Sequence, residues 1–197
     1  MYKNIIFDVG EVLFSYRWKE ALEDAGETHE SAQVLQPLLF DDPLWKELDL
    51  GVRPHFDVVE DMCHKYMGHE ENIRRYLTDV SLLPIDRPRV WAEVKRLKDK
   101  GYKLYLLSNY SEYMFKIHTA GKPFMDYIDG AMVSYMINVN KPDRRIYEAL
   151  LRKYDLNASE CIYFDDRKEN TDGAVKCGID AITVLDEEFL IDALKKL

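Results

Sequence analysis

Four short stretches carry residues that could do chemistry. Asp8 closes the apolar run NIIFDVGEVLF (residues 4–14) after Ile5, Ile6 and Phe7. Ser108 and Asn109 follow Leu104 to Leu107, and Asp165 and Asp166 follow Ile162 to Phe164. Lys141 stands before Pro142 and a helical pattern, which places it on a loop that leads into a helix. In open α/β sheets ligands bind outside the carboxyl ends of the strands, so a polar residue that ends an apolar run sits where substrates arrive. Three carboxylates gathered at one such edge repel one another unless a cation stands among them, which points to a metal. Taken singly each residue has a plainer use. Asp8 fits a turn, Ser108 a helix cap, Lys141 a solvated loop, and Asp165 with Asp166 the start of the next helix.

The elements that must position these groups alternate after residue 87. Pro88 opens a helix that runs from Arg89 to Lys100 and stops at Gly101, and Tyr102 to Leu107 reads as a strand. Helices are predicted over Ser111 to Thr119, Asp143 to Tyr154, Asn170 to Cys177 and Glu187 to Leu197. Strands are predicted over Ala131 to Ser134, Cys161 to Phe164 and Ala181 to Leu185. Strands alternating with helices predict an α/β fold with a doubly wound, parallel, Rossmann-like sheet. Between Phe14 and this alternation the pattern is helical throughout: Tyr16 to Ala25, Glu30 to Phe40, Phe56 to Met67 and Asn72 to Val80, with Gly26 and Gly68 as stops. The aromatic and methionine residues of this stretch, Trp18, Phe40, Trp45, Phe56, Tyr66 and Met67, have the spacing of a helical insert's own core.

Composition narrows the functions. A chain of 197 residues, 47% of them apolar, suits one core with a modest insertion. A net charge of −9 argues against nucleic acid or an anionic membrane as partner. A small phosphate ester stays compatible, because a metal, a lysine and backbone amides can bind it locally. Cys63, Cys161 and Cys177 are scattered and lack metal spacing, which suits reduced thiols. With no signal-like or membrane-spanning run, a cytoplasmic location is expected. Nothing in the sequence indicates an oligomeric state.

The segments FDVGEVL, LLSN, KPDRRIY and YFDDRKENTDGA, in this order and spacing, resemble the haloacid dehalogenase superfamily, whose members are mostly phosphatases. The likeness runs the length of the chain. It is nearest to sugar-phosphate phosphatases that include glucose 1-phosphate phosphatases, and to the N-terminal phosphatase domain of soluble epoxide hydrolases. The resemblance implies a core of residues 1–14 and 87–197 with a helical cap over 15–86. It implies a Mg2+-dependent phosphatase in which Asp8 is the nucleophile that forms an aspartyl-phosphate. Asp8, the Gly10 carbonyl and Asp166 would then bind Mg2+, with Asp165 as an outer partner. Ser108 would hold a phosphoryl oxygen, Asn109 would make a second contact, and Lys141 would bridge nucleophile and phosphate. A carboxylate attacks phosphorus only when the ester's charge is neutralised, and these groups supply that need.

Two departures stand out. The family's phosphatases usually carry a second aspartate two residues after the nucleophile as general acid and base, whereas this chain has Gly10, as the resembled sugar-phosphate subgroup also does. Without that acid, weakly basic leaving groups are favoured, which points to aldose 1-phosphates rather than 6-phosphates. Glu11 is the second, since a carboxylate there would resist an anion unless it points away. The rivals are a metal-independent 2-haloacid dehalogenase, which retaining Asp165 and Asp166 speaks against, and a non-catalytic phospholigand-binding or regulatory protein. The histidines, His118 among them, show no link to the four motifs.

Overall fold

The computed structural model describes residues 1–197. Strand β1 (Asn4–Phe7) is followed by a short strand β2 (Phe14–Tyr16), then by five helices: α1 (Trp18–Ala25), α2 (His29–Asp41), α3 (Pro43–Leu50), α4 (His55–Lys65) and α5 (Glu70–Thr78). Strand β3 (Pro84–Asp86) returns, and the alternation follows: α6 (Pro88–Asp99), β4 (Lys103–Ser108), α7 (Glu112–Thr119), β5 (Gly130–Val133), α8 (Arg144–Lys153), β6 (Cys161–Asp165), α9 (Lys168–Lys176), β7 (Asp180–Thr183) and α10 (Glu187–Lys195).

Five strands form one sheet in the order β5-β4-β1-β6-β7, every pairing parallel. All four residues of β1 are buried, as expected for a central parallel strand covered on both faces. The register decides where the chemistry gathers. Phe7 pairs with Leu106 on one side and Phe164 on the other. Asp8 and Asp165, each one residue beyond, and Ser108, two beyond, therefore emerge together at the carboxyl edge.

The antiparallel ribbon of β2 and β3 joins the helical insert to the sheet, with Phe14 opposite Asp86 and Tyr16 opposite Pro84. This corrects the expected first helix, which begins at Trp18 because Tyr16 is committed to the ribbon. Helix α3 is a second difference. Its start signal was present in the sequence: Asp42 accepts a hydrogen bond from the Leu44 amide at 2.9 Å, and Pro43 occupies the first turn.

The insert does not bury a core of its own. One cluster of 38 buried residues runs from Leu22, Leu39 and Val59 in the helices to Phe7, Phe14, Trp91 and Phe164 in and around the sheet. Phe56 and Met67 are exposed, contrary to the expectation for the insert's apolar residues. A second cluster of 12, including Ile6, Leu107, Ile146 and Tyr163, fills the opposite face of the sheet. No helix is long and apolar enough to cross a membrane.

Candidate active site

Asp8 follows β1 directly, and its own amide donates to the Phe164 carbonyl at 2.8 Å, so the backbone is fixed before the side chain is considered. Its Oδ1 accepts from the Val9 amide and from Ser108 Oγ, both at 2.7 Å. Its Oδ2 lies 2.9 Å from Lys141 Nζ. The ammonium reaches on to Asp165 Oδ2 at 2.7 Å, Tyr163 Oη at 2.8 Å and the Leu107 carbonyl at 3.0 Å. Lys141 is buried, and this set of acceptors makes its burial tolerable: burial lowers its pKa, but the charges of Asp165 and Asp8 outweigh that and raise it.

The two aspartates at the end of β6 differ sharply. Asp165 is fully enclosed. It accepts from Lys141, from the Tyr163 hydroxyl, from the Arg167 amide at 2.8 Å and from Asn170 Nδ2 at 3.0 Å, and its pKa is lowered because the lysine and these donors outweigh burial. Asp166 opens onto the cavity and has no side-chain partner. Burial and the nearby Asp165 raise its pKa. Oxygen atoms of Asp8, Asp165 and Asp166 lie within 4.8 Å of one another. Burial, countered by Lys141 and reinforced by Asp165 and Asp166, pushes Asp8 up to about 7. One ammonium among three carboxylates leaves the site short of positive charge, and its all-oxygen donors suit a small hard divalent cation.

The sequence reading gave Asn109 a substrate contact. The structure uses both ends of its amide on Lys141: Oδ1 accepts from the Lys141 amide at 2.7 Å, and Nδ2 donates to the Lys141 carbonyl at 3.0 Å. Asn109 thereby fixes the loop that aims the ammonium. Asn170, in the first turn of α9, orders Asp165 by donating to both of its carboxylate oxygens.

Glu11 is accounted for by Arg87, which sequence reasoning missed. Arg87 is buried and donates to Ser15 Oγ at 2.8 Å, to the Val12 carbonyl at 3.3 Å and to Glu11 Oε2 at 3.3 Å. Glu11 Oε1 accepts from the Tyr16 amide at 3.1 Å. The carboxylate is thus tied to the β2 ribbon and countered by a cation. Arg87→Met is expected to destabilise the fold by about 2–4 kcal/mol, because several donors to buried acceptors are lost. It should also raise KM for an anionic substrate by freeing the Glu11 charge. Denaturation and steady-state kinetics together check this, and an unchanged KM would show that Glu11 does not influence the cavity.

Gly10 has a neighbour that explains its size. A Cβ built there would stand 3.2 Å from Cε2 and 3.8 Å from the hydroxyl of Tyr16. Tyr16 occupies the space a longer side chain at position 10 would need. Its hydroxyl bonds that of Tyr110, which bonds His118 Nδ1, while His118 Nε2 lies 2.7 Å from the Val80 carbonyl. This links His118 to the site, against the sequence reading.

A cavity of about 210 Å³ opens above these groups, bounded by Asp8, Gly10, Ser108 and Asp166 below and by Trp18, Trp45 and Asp49 of the insert above. A wider groove of about 720 Å³ adjoins it and shares Trp18, Trp45, Asp49 and Asn109. Trp18, Phe40 and Trp45 pack edge to face, with ring centroids 4.4–5.9 Å apart. Periodicity could not separate these wall residues from core, since both uses place an aromatic on the same helical face.

A five-stranded parallel sheet with acidic residues at its carboxyl edge and a lysine between two of them defines a doubly wound α/β architecture whose polar site lies at the strand ends. The chain belongs to the haloacid dehalogenase-like hydrolase family, whose model matches residues 2–178. It is 25% identical over 202 residues to a sesquiterpene phosphatase of Aspergillus oryzae, covering 100% of this chain and 96% of the relative. It is 25% identical over 190 residues to a D-ribitol-5-phosphate phosphatase of Bacteroides thetaiotaomicron, covering 86% and 85% respectively. A family enzyme of that organism, solved in complex with magnesium and inorganic phosphate, superposes with a TM-score of 0.74 at 20% identity, over 93% of this chain and 94% of its own.

Proposed function

We propose that the protein is a magnesium-dependent phosphatase that hydrolyses small phosphate monoesters, sugar phosphates such as aldose 1-phosphates, through an aspartyl-phosphate on Asp8, and that it works in the cytoplasm. One observation carries this: Lys141 Nζ is held between Asp8 and Asp165 while the unpartnered Asp166 stands within 4.8 Å of both. Asp8, Asp166 and the Gly10 carbonyl would hold Mg2+, which supplies charge neutralisation for the ester oxygens. Asp8 attacks phosphorus. Ser108 Oγ, now 2.7 Å from Asp8, is positioned to turn to a phosphoryl oxygen, and Lys141 offsets charge shared by nucleophile and phosphate.

The Aspergillus and Bacteroides relatives are both phosphatases by name, which supports the reaction class. Trp18 and Trp45 beside carboxylates give the cavity apolar faces and polar acceptors together, a combination suited to a sugar. A metal-independent dehalogenase would leave Asp166 with nothing to bind. A non-catalytic role would leave the buried Asp8–Lys141–Asp165 group without a use that offsets its desolvation.

The test is phosphate release from a panel of phosphorylated metabolites with and without Mg2+, joined to calorimetric Mg2+ titration of two variants. Asp166→Ala is expected to weaken Mg2+ by about 100-fold and Asp165→Ala by about tenfold, since Asp165 only supports the ligands. Asp165→Ala should instead lower the melting temperature more, because Lys141 loses its nearest carboxylate. Equal titration shifts would overturn the assignment.

A further inference from the structure

The cavity has a carboxylate with no assigned task. Asp49, near the carboxyl end of α3, lines both the 210 Å³ cavity and the adjoining groove, and its side chain makes neither a hydrogen bond nor an ion pair. The other carboxylates are committed. Asp8 and Asp165 hold Lys141, Glu11 is tied to Arg87 and the Tyr16 amide, and Asp166 sits against Asp8.

Tyr16 is the other group near Gly10, but its proton points the wrong way. The Val80 carbonyl can only accept, so His118 Nε2 carries a hydrogen. Burial lowers the His118 pKa to about 4, so the ring is neutral and its Nδ1 accepts from Tyr110. Tyr110 oxygen then accepts from the Tyr16 hydroxyl. Tyr16 shows the cavity lone pairs, and it has no proton to give there.

We propose that Asp49 is the general acid and base that the core lacks at Gly10; this rests on the phosphatase reading above. In the first step Asp8 forms a bond to phosphorus, the ester P–O bond breaks, and the Asp49 carboxyl gives its proton to the departing oxygen. In the second, water forms a bond to phosphorus, the bond to Asp8 breaks, and the Asp49 carboxylate takes the water's proton. Protons balance over the two steps.

Placement fits this role. Attacking and leaving oxygens lie roughly in line across phosphorus, so with Asp8 at the sheet edge the leaving oxygen faces the wall made by the insert. Asp49 is also anchored to the core. Ser134 Oγ, just beyond β5, donates to the Asp49 carbonyl, and Asn138 Nδ2 donates to the Leu50 carbonyl at 2.7 Å. Gly51 follows in the left-handed region, seated so closely that a Cβ would come 2.7 Å from Tyr135 Cβ. Lys141 and Arg167 face the carboxyl, with Tyr110 beside it and Asp8, Asp166, Glu11 and Tyr16 around the same cavity. Burial, opposed by Lys141 and Arg167, pushes Asp49 up to about 7, where a carboxyl both gives and takes a proton. This replaces the expectation drawn from Gly10 alone. With Asp49 acting, leaving-group dependence is shallow in the native enzyme.

The test measures aspartyl-phosphate formation by rapid acid quench, for alkyl and aryl phosphates, in the native protein and in Asp49→Asn and Asp49→Glu. Asp49→Asn should fold as the native chain does, since no bonded partner is lost. Its rate on alkyl phosphates should fall about 100-fold or more. Phosphorylation by aryl phosphates should change only a few-fold, and the phosphoenzyme should accumulate because its hydrolysis is slowed. Asp49→Glu should recover part of the loss. An active native enzyme with equal losses on both ester types and no accumulation overturns the proposal alone, as does an unaffected Asp49→Asn. A native protein that binds Mg2+ yet hydrolyses no phosphate ester overturns the phosphatase reading and the proposal with it.

Discussion

Asp8→Asn is expected to cut phosphate release by about 10⁴-fold or more while leaving the protein folded. The amide oxygen keeps the hydrogen bonds from the Val9 amide and Ser108, and Lys141 keeps Asp165, Tyr163 and the Leu107 carbonyl. What is lost is the nucleophile, its ion pair with Lys141 and one carboxylate of the proposed Mg2+ set. Stability gives a second readout with a definite sign. Asp8 has a folded-state pKa pushed up to about 7, above its ordinary value of 3.8, so its ionised form costs the native state stability increasingly as pH rises from about 4 to 7. Asparagine bears no such cost. In metal-free buffer the variant's melting temperature should therefore rise relative to the native protein's over that interval and run parallel to it above. Native-like phosphate release by the variant would sink the mechanism, and a fall in relative stability over that interval would contradict the electrostatic account.

Lys141→Met should damage both fold and catalysis. The ammonium has two carboxylate partners at 2.9 and 2.7 Å, and removing it leaves Asp8 and Asp165 buried without a counter-charge. Breaking such a buried group costs about 3–5 kcal/mol. The loss should be largest near pH 8 and shrink towards pH 5, because protonation of the orphaned carboxylates relieves the repulsion. The native lysine introduces no competing change in that window. Its pKa is raised, so its contribution is fully present below 10.5 and is lost only as pH climbs through the folded value. Activity should fall about 10³-fold, the scale for losing one charge-stabilising group. Urea denaturation at the two pH values decides the matter, and an equal loss at both would show that Lys141 serves the fold through packing alone.

Much of this was legible in the amino-acid order itself. Apolar runs bounded by glycine and proline marked the parallel strands and their helices, because burial on both faces demands near-continuous apolar residues. The residues ending those runs, Asp8, Ser108, Asp165 and Asp166, were legible for the same reason: a strand that stops being apolar has reached the sheet edge. Lys141 was visible only as a loop lysine near a helix start. That it threads between two carboxylates depends on the strand order β4-β1-β6, which no local pattern encodes.

Tertiary structure alone decided the rest. Arg87 and Glu11 are far apart in the chain and meet because β2 and β3 pair, and nothing in either segment announces a partner. Tyr16 lies on β2, Tyr110 in the loop after β4 and His118 on α7, so local pattern could not show their hydrogen-bonded chain. Asp49 is the sharpest case. In sequence it is one acid on a short helix, indistinguishable from a solvated neighbour such as Asp41. Its meaning comes from the seating of α3 on the loop after β5, which turns an ordinary surface position into the wall of a cavity facing Asp8. Local order reports which residues prefer burial or a turn, whereas a carboxylate's task depends on what stands across the cavity from it, and only the packed chain determines that.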